Sequence, residues 1–217
     1  MKFNLTNFSI VVLAQAHNPS ILNPDFLKNN KIVDADFTPK DVICTPPIAQ
    51  VSFNEGISII AEFERLQFID TVSERIPHRS QIPEIAGRYI SILPQVRYTA
   101  AGINFIGHYL WKDANRVRSF IRDKFIKEGD WLTTGDNLTN VGLKFSFLFG
   151  NIKCTISVES AEMNKTANES GPVILLNANY NLDVKDNNIQ EIKSFISDWK
   201  TQNERFTSFL EKIFPRD

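Results

Sequence analysis

The chain has 217 residues, of which 42% are hydrophobic and 23% charged, and its Lys+Arg total of 24 against 25 Asp+Glu leaves a formal net charge of -1. That balance excludes a chain-wide basic field of the kind that drives non-specific attachment to nucleic acid or anionic membrane. The composition is that of an ordinary globular protein, and the length suits a single domain over residues 1–217.

Residues Phe8 to Ala16 form a short apolar run that reads as a first β-strand. Ala14-Gln15-Ala16 also mimics a signal-peptidase site, so a cleaved leader over residues 1–16 is the alternative. The Asn/Pro-rich stretch His17 to Asp25 follows, then an expected strand from Lys31 to Phe37. Ile48–Phe53 and Ile57–Ile69 flank Asn54-Glu55-Gly56 and read as a hairpin. In its second arm Ile57, Ile59, Ala61 and Phe63 are expected on one side, Glu62 and Glu64 on the other.

From Ile82 to Leu93 the period changes to helical, with Pro83 in the first turn and Pro94 after the end. Val96 to Trp111 returns to strand, its Gly102 and Gly107 marking bends or bulges. Asp113 is placed to cap a helix running to Lys127, with Gly129 at its C-cap. Val141, Leu143, Phe145, Phe147 and Phe149 then alternate up to Gly150-Asn151. Ile152, Cys154, Ile156 and Val158 alternate after it, the pattern of a tight hairpin. Pro172 to Val184 reads as a further strand with Ile174, Leu176, Ala178, Tyr180 and Leu182 on one face. Ile189 to Phe214 carries an apolar helical stripe interrupted at Gln202-Asn203, predicting one long amphipathic helix.

Together these elements predict an α+β fold with a mostly antiparallel sheet covered by helices. The element order resembles helix-grip domains, in which a long last helix lies in a curved sheet. It also resembles a sporadically distributed bacterial family of uncharacterised α+β proteins. That likeness rests on Ala101-Gly102-Ile103-Asn104-Phe105, Leu182-Asp183, Phe206 and Phe209, and implies a bacterial source but no catalytic residues.

Candidate chemistry is sparse. His17, His78 and His108 lack His or Cys neighbours at ligand spacing, so no metal or other cofactor is expected. Glu62 and Glu64 could pair as carboxylates on one strand face. Asn177, Asn179, Asn181 and Asp183 form a row opposite the apolar set of their strand, offering donors and acceptors to a ligand or partner. Arg118 and Arg122 lie one turn apart and could clamp phosphates; Arg75-Ile76-Pro77-His78-Arg79 is a smaller basic segment. Tyr180, Phe195, Trp199 and Phe147 would line a pocket under the last helix. Two distant cysteines suit a reduced, cytoplasmic protein, and no segment reaches the length of a bilayer span. The expected role is a non-enzymatic protein-interaction or regulatory module, with a protein partner or self-association. A small-ligand binder or enzyme of helix-grip type is the alternative, and a nucleic-acid binder a further one.

Overall fold

The computed structural model describes residues 2–111, 113–127, 129–134, 140–163 and 171–214, the side chains of Arg118 and Thr133 excepted. Among the described residues nine strands form one wholly antiparallel sheet: β1 (Phe3–Ala14), β2 (Pro39–Cys44), β3 (Ile48–Phe53), β4 (Ile57–Glu62), β5 (Arg65–Asp70), β6 (Tyr98–Leu110), β7 (Gly142–Phe149), β8 (Ile152–Met163) and β9 (Gly171–Asp183). Their spatial order is β2-β3-β4-β5-β1-β6-β9-β8-β7. The helices are α1 (Pro24–Asn29), α2 (Ile82–Ile92), α3 (Ala114–Phe125), α4 (Ile189–Ser197) and α5 (Trp199–Ile213). An α+β fold built on a large antiparallel sheet is therefore what the sequence encodes.

The strand order contains a duplication. Outward from β1 the neighbours are β5, β4 and β3; outward from β6 they are β9, β8 and β7. Each half runs strand, helix, meander, helix: β1-α1-β2-β3-β4-β5-α2, in which β2 is an extra outer strand, and β6-α3-β7-β8-β9-α4/α5. Because β1 and β6 pair antiparallel, the halves are related by an approximate two-fold axis normal to the sheet at that seam. Gly107 sits opposite Leu5, where Thr6 is the extra residue of a β1 bulge between Leu5 and Asn7. The bulge keeps Phe3 and Leu5 on the same face as Phe8, Ile10 and Val12.

All the described helices cover that one face. Tyr89 of α2 meets Phe68 of β5 at 5.8 Å, Trp199 meets Phe8 at 5.5 Å, Phe206 stacks on Phe105 at 6.0 Å, and Phe125 of α3 meets Phe145 at 5.6 Å. One hydrophobic cluster runs under all of them, from Val51 and Ile59 in one half to Ile156 and Tyr180 in the other. The opposite sheet face contributes nothing to it: Val11, Ile60, Ile69 and Ile106 lie outside the cluster.

Several elements depart from their sequence patterns. Residues 31–37 are turns rather than a strand. Lys31 adopts φ 54 and Ile32 N–H bonds Leu27 O at 2.8 Å, so Ile32, Val33 and Phe37 are buried from irregular backbone. The strand forms one step later, as β2. The Ile57–Ile69 arm is two strands, broken at Phe63-Glu64, and Phe63 is 59% exposed. Glu62 and Glu64 thus do not share one strand face. Asp113 caps α3 as expected, accepting from Asn115 N–H at 2.9 Å, but the C-cap is Ile126. Gly129 precedes a 3-10 turn, Asp130–Thr133, instead.

The predicted long terminal helix is broken at Asp198. Its φ of -84 and ψ of 18 end α4 and open α5. The carboxylate accepts from Thr201 Oγ1 at 2.6 Å and from Gln202 Nε2 at 3.3 Å. A short acidic side chain that competes for local donors favours a helix end over a helix interior. The Gln202 interruption then has a use: Gln202 is fully buried and accepts from Arg205 Nη1 at 2.9 Å. The stripe restarts as Trp199, Gln202, Phe206, Leu210 and Ile213.

Two stability predictions arise here. Gly87 lies inside α2 and an added Cβ there meets nothing within 4 Å. Gly87→Ala is expected to stabilise the protein by about 0.5–1 kcal/mol in chemical denaturation. His17 is buried, donating from Nε2 to Val12 O at 3.3 Å. Burial lowers its pKa, opposed by that backbone bond. A base whose pKa falls on folding is protonated more readily in the unfolded chain, so stability is lost as pH drops through its unfolded value of about 6.5. The loss between pH 7.5 and 5.5 should shrink in His17→Gln, and an unchanged loss would remove His17 as its source.

Candidate functional site

The sheet face opposite the described helices carries an extended set of polar side chains. Side chains alternate across a strand, so each residue facing away from the core meets its cross-strand neighbours in rungs. One rung runs Ser52, Ser58, Ile69, Ser9, Asn104, Asn179, Thr155, Ser146. The next runs Asn7, Ile106, Asn177, Ser157, Lys144. A third runs Val11, Gly102, Asn181, Lys153, Leu148. Nine strands at about 4.8 Å spacing make this face about 40 Å wide.

The central rung is hydrogen-bonded across strands. Asn179 Nδ2 donates to Asn104 Oδ1 at 2.5 Å, and Asn104 Nδ2 points to Ser9 Oγ at 3.4 Å. In the other half Ser58 Oγ and Gln50 Nε2 each donate to Ser52 Oγ at 2.9 Å. Two amide oxygens on either side of Ile106, Asn7 Oδ1 and Asn177 Oδ1, are buried and find no partner. A buried amide oxygen left without a donor costs about 1–3 kcal/mol, so the Ile106 rung is where this face is least satisfied. Over β7–β9 the surface forms an open hollow of about 550 Å³ lined by Lys144, Thr155, Ser157, Glu159, Asn177 and Asn179.

The predicted Asn row is therefore real as a placement. Asn177, Asn179 and Asn181 are half-buried on one face and Asp183 is exposed at its end. Asn181 Nδ2 donates to Asp183 Oδ1 at 2.9 Å, and Lys153 Nζ meets Asp183 Oδ2 at 2.6 Å. Lys153 first, then Asn181, hold the Asp183 carboxyl below its usual range. Sequence reasoning missed the other members. Asn7, Ser9 and Asn104 oppose the apolar sets of β1 and β6, a signal visible in alternation, but the β1 bulge blurs it and the β1–β6–β9 adjacency is non-local.

The remaining candidates are dispersed. Arg122 is engaged by Asp123 at 2.8 Å; it lies one turn from Arg118 on α3, whose side chain is outside those described. Arg75 is consumed by Asp70 at 2.8 Å. Of the supposed pocket lining, Tyr180 is 0%, Phe195 5% and Trp199 7% exposed, while Phe147 is 39% exposed on the edge strand. Trp199 packs on Phe8 and Tyr180 on Phe105, 6.2 Å away, so they stand over different strands. Beneath α5, Cys154 pairs across strands with Tyr180, and Arg205 lies 4.3 Å over the Phe149 ring. Burial pushes the Cys154 thiol up to about 11, away from the thiolate a nucleophile needs. Burial likewise raises the Tyr180 hydroxyl. Glu62, Glu64 and Arg65 line an open depression of about 540 Å³. His108 is 4% exposed within β6. Among the described residues no group of three or more His, Cys, Asp or Glu is placed to hold a metal ion, and no helix is long and apolar enough to cross a membrane.

No protein-family model matches the chain, and no curated protein is significantly similar to it.

Proposed function

We propose that the protein is a non-catalytic binding module that engages a protein partner through the helix-free face of its sheet. The observation that carries this reading is the pair of cross-strand polar rungs at the two-fold seam, Ser9–Asn104–Asn179 and Asn7–Ile106–Asn177, on a face from which the core is excluded. Asn, Ser and Thr supply both donors and acceptors, and Val11, Ile60, Ile69 and Ile106 supply apolar area beside them. That mixture is the chemistry of a non-obligate protein interface. Its charges over β7–β9, Lys153 with Asp183 and Lys144 near Glu159, are balanced, and in the other half Arg65 shares the face with Glu62 and Asp41, which favours an uncharged polypeptide surface over a phosphate backbone. Exposed Cys44 and buried Cys154 are both free, which supports a reducing, cytoplasmic setting.

A photo-crosslinkable residue at Thr155, on this face, is expected to give a discrete protein adduct in cells. The same group at Glu204, on the helical side, is expected to give none. Adding Asn179→Arg should cut the Thr155 adduct at least tenfold. Equal adducts from both positions, indifference to Asn179→Arg, or tight salt-dependent binding of duplex DNA instead would each overturn the reading.

A further inference from the structure

Among the described residues the two halves differ at one edge. In the first half β3 is flanked by β2, whereas among the described residues no strand flanks β7, the counterpart of β3. The hairpin joining β7 to β8 has Gly150 at φ 63 in the first of its two turn positions, as a type II′ turn requires. The closing pair Phe149–Ile152 of such a turn is hydrogen-bonded. Alternation from it makes Leu143, Phe145 and Phe147 the residues bonded to β8. Gly142, Lys144, Ser146 and Leu148 consequently turn their N–H and C=O groups outward.

The two sheet edges differ in how they are guarded. Along β2 stand Pro39, Lys40 and Asp41, with Pro46 and Pro47 just beyond, the residue types that block strand addition. Lys144 is the one charge in Gly142–Phe149. That strand shows Leu148 at 69% and Phe147 at 39% exposure. Phe209 of α5 backs Phe145 at 5.4 Å and Phe147 at 5.8 Å, so the edge is held rigid from the helical side.

We infer that β7 is a self-association edge, and that its occupant is the β7 strand of a second copy added antiparallel about a two-fold axis at Ser146. The argument for a second copy is self-complementarity. With Ser146 opposite its own equivalent, Lys144 faces Leu148 of the second copy and the outward backbone groups of Lys144, Ser146 and Leu148 all gain partners, while Gly142 faces the turn residue Gly150. Phe145 then faces Phe147 of the second copy at non-hydrogen-bonded positions, where cross-strand side chains approach closest. Centring on Phe145 pairs all four outward residues but sets the exposed Leu148 against Gly142, which has no side chain to cover it. Centring on Lys144 sets like charges opposite each other, and centring on Leu148 leaves fewer bonds. The product is one continuous sheet of twice nine strands, a closed two-fold assembly.

Light scattering on the full chain should show the mass doubling from 24.8 kDa as concentration rises. Amide exchange at Lys144, Ser146 and Leu148 should slow at least tenfold over the same range. Leu148→Lys, at an exposed position and facing Lys144 of the second copy, should abolish the doubling while leaving the melting curve of the dilute monomer unchanged. Ser146→Pro, which deletes an outward N–H, should do the same, and Val42→Lys on β2 should not. A chain monomeric at every concentration overturns the inference. So do β7 amides already protected in the dilute monomer, or a dimer that survives Leu148→Lys or yields to Val42→Lys.

Discussion

Asp70→Ala is expected to destabilise the protein by about 3–5 kcal/mol, because it strips the partner from a partly buried guanidinium. Asp70 is fully buried on the helical face, at the end of β5 between Phe8 of β1 and Ile57 of β4. Four donors converge on its carboxylate: Arg75 Nε at 2.9 Å, Arg75 Nη2 at 2.8 Å, Ser80 Oγ at 2.6 Å and Val72 N–H at 3.1 Å. The same Arg75 Nη2 reaches Glu55 O at 2.8 Å. One carboxylate therefore ties the β3–β4 turn, the end of β5 and the loop to α2. Arg75→Ala should cost a comparable amount by leaving the carboxylate buried and under-paired. The double variant should cost less than the sum of the two singles. Urea denaturation of the three variants measures this; single losses under about 1 kcal/mol would show the cluster to be dispensable.

This cluster also shows what the basic segment Arg75 to Arg79 conceals in the sequence. Its charges are visible in the sequence, but the carboxylate that claims Arg75 belongs to a strand end whose burial depends on two neighbouring strands. The same split runs through the fold. Alternation placed Phe145, Phe147, Cys154, Ile156, Ala178 and Tyr180 on the face they occupy, because period-two patterning is local. It could not show that β1 pairs with β6, so the Asn177–Asp183 row was legible while its continuation through Asn104 to Ser9 was not. Ile32, Val33 and Phe37 mimicked a strand because burial alone does not distinguish a packed turn from an extended segment. The stripe from Ile189 to Phe214 concealed its break because Asp198 falls off the apolar side, where a helix tolerates a charge. The break shows only in the Asp198 backbone, φ -84 and ψ 18, and in the bonds its carboxylate accepts from Thr201 and Gln202.

The seam between the halves is where the sequence should be least tolerant. Gly107→Ala is expected to cost about 3 kcal/mol, the upper range for an overpacked site. A Cβ at Gly107 would lie 2.4 Å from Asn4 O, 2.5 Å from Phe3 Cζ and 2.9 Å from Leu5 Cα. Phe3 could swing aside, but the other two atoms are backbone of the bulged β1, so relief requires β1 to move off β6. Gly102 supplies the comparison on the same strand and the opposite face. Its added Cβ would meet Tyr180 O at 3.6 Å, Asn179 Nδ2 at 3.8 Å and Val11 Cβ at 3.9 Å, all ordinary contacts, so Gly102→Ala should change stability by less than about 0.5 kcal/mol. The pair separates steric closeness at the seam from the general cost of altering a strand glycine. Denaturation midpoints that fall together would mean β1 and β6 yield freely, and the two halves would then not be locked through this pair of strands.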